Sequence, residues 1–206
     1  NATKAAKRAW EYAPAEKKAL WQQQRDALIN IDLSEDTQRQ IVIARGSPKP
    51  GEYHAHPTTA MLADNKTMFC VWNIGHGGHA GPMARSDDAG LTWTRMDDAL
   101  PPNYVNFRNC PSIYRLTDPQ GIERLFIFGG CDFPGNLRSA FSTDLGKTWS
   151  PIKELGLVGE VAPKSILSFD GGKRLIMWSD RRDPKNAKDL HPVVWQSESL
   201  DGGLTW

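Results

Sequence analysis

Four of the five histidines in this 206-residue chain fall between residues 54 and 79, at His54, His56, His76 and His79. Imidazole changes charge near neutral pH, so such a cluster can act as general acid or base, or donate hydrogen bonds to a ligand's hydroxyls. Gly75, Gly77 and Gly78 surround His76, which favours a loop whose backbone comes close to what it faces. His54 and His56 stand two apart and would share one side of a strand, the placement a metal pair would need. No cysteine or carboxylate stands beside them to complete a familiar ligand set, so no metal and no cofactor is implied. The competing reading is plain loop histidines. Arg108, Arg181 and Arg182 form a second group, able to grip a carboxylate through paired N–H donors. Against that, Arg181 and Arg182 lie between Asp180 and Asp183 and can pair with them on a solvated loop.

The elements that must position these residues are set by a repeat. Ser86-Asp87-Asp88-Ala89-Gly90-Leu91-Thr92-Trp93 returns as Ser142-Thr143-Asp144-Leu145-Gly146-Lys147-Thr148-Trp149 and again as Ser199-Leu200-Asp201-Gly202-Gly203-Leu204-Thr205-Trp206. The pattern is Ser-x-Asp-x-Gly-x-Thr-Trp, and a fixed long period signals stacked or radial units. Its chemistry is that of a hairpin turn. Ser and Asp oxygens accept hydrogen bonds from N–H groups a few residues on, and Gly supplies a positive φ. Thr then returns the chain to a strand, and Trp offers a large apolar surface.

This octet resembles the Asp box, or bacterial neuraminidase repeat, of the sialidase superfamily of β-propellers. The resemblance implies an all-β, six-bladed propeller with each box on the turn between a blade's third and fourth strands, away from the active site. On this reading residues 1–40 are an N-terminal helical extension. Residues 41–46 form a strand that completes the last blade. Blades follow at about 53–105, 106–158 and 159–206. Three blades do not close a ring, so the expectation is the N-terminal part of a longer protein. Ala15 to Ile29 reads as an exposed amphipathic helix, with Pro14 breaking a preceding one or starting this one.

Composition limits the partners. With 25 basic and 24 acidic residues and a net charge of +1, there is no electrostatic case for nucleic acid or an anionic membrane. No apolar run approaches the roughly 18 residues a membrane span needs. Three cysteines are too few for a disulfide framework. Centring the second blade's first hairpin on Pro119–Gly121 sets Cys110 opposite Cys131, within disulfide reach, and leaves Cys70 alone. Proteins of the resembled class are commonly exported, which implies a periplasmic or secreted protein.

In sialidase-like propellers the substrate face carries the start of each blade's first strand and the loop joining strands two and three. Antiparallel pairing brings those two places together. The first blade then collects His54 and His56 beside His76 and His79, the second Arg108 beside Asp132, and the third Lys164 beside Asp180, Arg181 and Arg182. All lie on one rim, opposite the boxes. The resemblance implies a glycan or glycoconjugate substrate, and glycoside hydrolysis needs two groups flanking the scissile bond. His56, His76, Asp132 and Asp180 are the catalytic candidates; His54, His79, Arg108, Arg181 and Arg182 are the substrate-binding ones. The chain departs from the family pattern in two places. Ala55 stands where an Arg-Ile-Pro motif would carry its carboxylate-binding Arg, and His79-Ala80 stand where the acid/base Asp is expected. The activity implied is a sialidase-like exo-glycosidase with a divergent pocket. A non-catalytic glycan-binding propeller and an adhesion module are the rivals, because a fold is shared across activities.

Overall fold

The structure is a computed structural model and describes residues 11–28, 36–46, 53–130, 135–182 and 192–206. The chain divides into two compact units, 1–41 and 42–206. In the first, α1 (Ala15–Leu28) starts just after Pro14, whose carbonyl accepts from the N–H groups of Lys17 and Lys18 at 3.0 Å each. Proline suits that place because its missing N–H would have no helical partner there. Among the described residues no helix is long and apolar enough to cross a membrane.

The second unit is all-β. Its first sheet has the order β1 (His54–Met61), β2 (Met68–Ile74), β3 (Ala80–Ser86) and β4 (Thr94–Arg95). The second has β5 (Arg108–Thr117), β6 (Glu123–Gly130), β7 (Asn136–Ser142) and β8 (Lys153–Val158). The third has β9 (Ser165–Phe169), β10 (Arg174–Arg182) and β11 (Pro192–Ser199). Every pairing is antiparallel between neighbours in sequence. These are successive β-propeller blades, three among the described residues.

The apolar pattern explains how the blades stack. β6 reads Leu125-Phe126-Ile127-Phe128, and side chains alternate across a strand. Leu125 and Ile127 join Phe69, Val71, Met83 and Phe107 in a core between the first two blades. Phe126 and Phe128 join Ile166, Leu175 and Met177 in a core between the second and third. Both faces of the middle blade are therefore buried, so the middle of β6, from Leu125 to Phe128, is apolar without alternation. Full burial of such side chains contributes about 1.5–3 kcal/mol each.

Residues 41–46 differ from expectation. They form no strand; instead Ile43 and Ala44 pack their side chains on the outer face of the first blade, against Cys70, Trp72 and Ala84. A strand exists only through a ladder to a neighbour, and here the described contacts are the packing of Ile43 and Ala44.

The three octets close identical turns. In the second, Ser142 donates to Asp144 at 2.8 Å and accepts from the Gly146 N–H at 2.9 Å. Asp144 accepts from the Thr148 N–H at 2.9 Å and the Thr148 hydroxyl at 2.6 Å. Asp88 and Asp201 repeat this network. The Thr hydroxyl, followed by the Thr N–H and the Ser hydroxyl, holds Asp88 and Asp144 down to about 2. For Asp201 burial acts upward, but the same donors outweigh it and the carboxyl still lies low.

An acid-stability prediction follows from the sign of these shifts. A carboxyl held below its unfolded value of about 3.9 stabilises the fold at higher pH and stops doing so as pH falls through its folded value. Tryptophan fluorescence at a fixed sub-denaturing urea concentration should stay flat above about pH 5, and should show unfolding between about pH 4 and pH 2. A fold unchanged at pH 2 would mean the box carboxylates contribute nothing.

Candidate functional site

The rim opposite the boxes is built by two devices. One is the β2–β3 loop, where Gly75 donates to the Tyr53 carbonyl at 2.8 Å and Ile74 to the His79 carbonyl at 3.2 Å. The loop folds tightly enough that a Cβ on Gly78 would lie 2.0 Å from the Ile74 carbonyl oxygen. The same loop is tied to the second blade. Ala80 donates to the Phe107 carbonyl at 2.8 Å, Asn109 donates to the Gly78 carbonyl at 3.3 Å, and His79 forms a bridge with Arg108. Ala162 donates in turn to the Asn109 carbonyl at 3.3 Å. One backbone seam thus joins all three blades at this face.

The second device is a bulge at the start of each of the first two inner strands. The register shifts between Ala55 and Thr58 in β1, and between Arg108 and Ser112 in β5. Both shifts contain a proline, Pro57 and Pro111, which lacks the N–H a ladder needs. The Thr58 hydroxyl bridges the two strands, donating to the Pro111 carbonyl at 3.3 Å and accepting from the Ile113 N–H at 3.2 Å.

These devices decide which predicted residues meet. His56 and His76 stand together, with ring centroids 5.2 Å apart, and both are exposed. His79 Nε2 lies 3.4 Å from an Arg108 Nη. Asp180 lies 3.9 Å from the Lys164 ammonium. A cleft of about 270 Å³ opens beside His56 and Lys164, lined also by Thr58, Cys110, Tyr114 and Pro163 among others. His54 goes elsewhere: its Nδ1 accepts from the Trp72 indole N–H at 2.8 Å, with the rings edge-to-face. That bond leaves the proton of a neutral ring on Nε2, which is buried and has no hydrogen-bond partner among the described residues. The expectation that His54 and His56 share one side of the strand is therefore corrected, because the bulge and the positive φ of His56 (51°) break the alternation.

Arg181 and Arg182 extend β10 and pair with Val193 and Pro192 through the ladder. Asp132 and Cys131 lie outside the described residues. The predicted partner of Cys131 falls in the β5 bulge. Beyond the bulge Ser112 faces Phe128, and before it Arg108 faces Gly130, so the regular hairpin register used to pair the two cysteines does not reach Cys110. Its thiol is free and half-buried. Burial pushes that thiol up, while the Lys164 ammonium pulls it down and the Asp180 carboxylate adds to the rise. Cys110 and Tyr114 are cleft residues the sequence reading missed. The signal was present: Cys110 precedes Pro111 just as His56 precedes Pro57. Among the described residues no group of three His, Cys, Asp or Glu gathers to hold a metal.

A larger cavity of about 490 Å³ lies on the opposite, box side, lined by Phe126, Phe141, Ile152, Lys153, Leu204 and Thr205 among others. Its one titratable side chain is Lys153, so size does not mark the chemical site here.

Residues 140–151, the second octet and its flanks, match the BNR/Asp-box repeat. No curated protein matches the chain. Among solved structures the chain is similar to the xylan β-1,4-xylosidase of Bacillus halodurans C-125, at 15% identity over 75% of this chain and 31% of that one, with a TM-score of 0.48. It is also similar to a Hadza microbial sialidase, at 17% identity over 73% and 32%, TM-score 0.41. A protein of unknown function from Dyadobacter fermentans gives 15% identity over 81% and 56%, TM-score 0.48. The chain therefore spans about a third to just over half of the length of these structures. The described blades have a β-propeller fold, and they carry the matched BNR/Asp-box repeat at residues 140–151 with two further octets that share its Ser–Asp–Gly–Thr hydrogen-bond network.

Proposed function

We propose that the protein is an exported glycan-active hydrolase of the sialidase-like propeller class, working at the rim opposite the Asp boxes. The observation that carries this reading is the cleft lined by His56 and Lys164, with the His76 ring 5.2 Å from that of His56 and the Asp180 carboxylate 3.9 Å from the Lys164 ammonium. Glycoside hydrolysis needs a proton donor to the leaving oxygen and a second group facing the anomeric carbon. His56 or His76 supplies acid–base capacity, and Asp180 is the carboxylate beside Lys164; Asp132 is proposed for the same face. Arg108 with His79, and Arg181 with Arg182, are proposed to hold polar or anionic groups of the glycan. The substrate is a glycan or glycoconjugate.

A non-catalytic glycan-binding module is the second reading. One observation favours it: Ala55, at the position where related enzymes would carry an arginine, is only 8% exposed and brings no charge to the rim. Release of p-nitrophenol from a panel of aryl glycosides by the full-length protein separates the two. Turnover supports the hydrolase, binding of the same glycosides without release supports the module, and neither binding nor release overturns both.

A further inference from the structure

The cleft is entered by the same register position of successive blades. His56-Pro57, Cys110-Pro111 and Ala162-Pro163 open the three inner strands, and His56, Cys110 and Ala162 all line the cleft. In the first two blades the pre-proline residue has a left-handed backbone, φ 51° at His56 and 63° at Cys110. That conformation is doubly disfavoured, for an L-residue and for any residue before proline. The same costly geometry recurs in both blades, each time within a bulge, and each time the residue faces one cavity. Bulges re-aim side chains beside binding sites, and strain of this kind concentrates where surrounding structure enforces a functional orientation.

We propose that the pre-proline residues His56 and Cys110 are the specificity-determining pair of this cleft, and that together they enclose a single sugar ring. This rests on the glycan reading above. At about 270 Å³ the cleft lies below the roughly 300–1,000 Å³ of sites that enclose drug-sized ligands, so one ring fits and a chain of rings does not. Its walls suit such a ring. Pro57, Val161 and Pro163 offer apolar surface to C–H faces, while His56 and Lys164 offer donors to hydroxyls. The Tyr114 hydroxyl is already engaged, donating to the Pro163 carbonyl at 3.3 Å, so it shapes the wall. Cys110 sets the depth of the cleft on the second-blade side, and the size of the side chain there decides which ring substituent is admitted.

The two described thiols provide the test. Cys70 is 1% exposed and pushed up to about 11 by burial, so it stays inert in the folded protein. Full-length protein carrying Cys131→Ser is treated with iodoacetamide at about pH 9, where the half-buried Cys110 thiol reacts through its minor thiolate fraction and the deeply buried Cys70 does not. Alkylation is followed by peptide mass in the presence and absence of the methyl glycosides of xylose, mannose and N-acetylneuraminic acid. Binding of each glycoside is measured by calorimetry before and after modification. The proposal expects at least one glycoside to bind. At ten times its Kd it should slow Cys110 alkylation about tenfold, and the alkylated protein should lose affinity at least tenfold with its circular dichroism unchanged. Cys110→Ser protein, which offers no thiol at that place, should show the same affinity before and after the treatment, whatever that affinity is. A glycoside that binds without protecting Cys110, and equally well after alkylation, overturns the specificity pair and leaves the glycan reading standing. If none of the three binds, both are overturned.

Discussion

Gly202→Ala should destabilise the protein by about 3 kcal/mol or more, while Leu145→Gly, at the same place in the neighbouring octet, should stabilise it by about 0.5 kcal/mol. Both residues occupy the fourth position of the box, and both have left-handed backbones, φ 73° at Gly202 and 61° at Leu145. The difference lies in what each turn meets. A Cβ on Gly202 would sit 2.4 Å from the Asp118 Cβ and 2.7 Å from its Cα. Asp118 cannot retreat. It is paired with Arg124 at 2.7 Å and accepts from the Gln120 and Ile122 N–H groups at 2.9 and 2.8 Å, so the third box is keyed to the hairpin turn of the second blade. Leu145 is 48% exposed, so its side chain gains little from burial while its backbone bears the left-handed cost. Urea unfolding of the two variants reads both signs. Equal effects at the two positions would mean that the boxes do not lock blade to blade.

That keying was only partly legible in the sequence. The octets were legible because their chemistry is local: Ser, Asp, Gly and Thr satisfy one another within eight residues, so repetition alone reveals the turn. The burial of Leu125-Phe126-Ile127-Phe128 on both faces of its blade emerges only from the two cores, because burial depends on the neighbouring blades. Register was harder. Counting outward from the Pro119–Gly121 turn assumes an unbroken ladder, and the bulge at Asn109–Pro111 inserts residues that periodicity does not see. The same effect at Pro57 separated His54 from His56. Side-chain destinations were harder still. Nothing in the spacing of His54 says that the Trp72 indole N–H will claim it, because that contact depends on how the strands pair. The Ile41–Ala44 run was apolar enough for a strand, yet strand formation depends on a neighbour's backbone and not on composition. Cys110 reached the cleft through the pre-proline position that it shares with His56, a signal carried by proline and not by the charged residues first noticed.

His76→Ala should lower kcat/KM for a glycan substrate by about 10²-fold or more, the usual contribution of a positioned general acid or base, and should leave the melting temperature nearly unchanged. His76 is exposed in the β2–β3 loop and its ring meets only His56 in the described structure, so its loss leaves no core cavity. Asp144→Ala should do the opposite. It removes the acceptor for the Thr148 N–H and hydroxyl and for the Ser142 hydroxyl, on the face that carries none of the acid–base pairs. The melting temperature should fall by about 5 °C or more, with kcat/KM per folded molecule unchanged. The measurement that tests the working face most directly is therefore kcat/KM and melting temperature of these two variants, made side by side on the full-length protein. The account predicts a stable, nearly inactive His76→Ala and a labile, fully competent Asp144→Ala. An inactive Asp144→Ala at full stability, beside an unimpaired His76→Ala, would place the chemistry on the box face and contradict it.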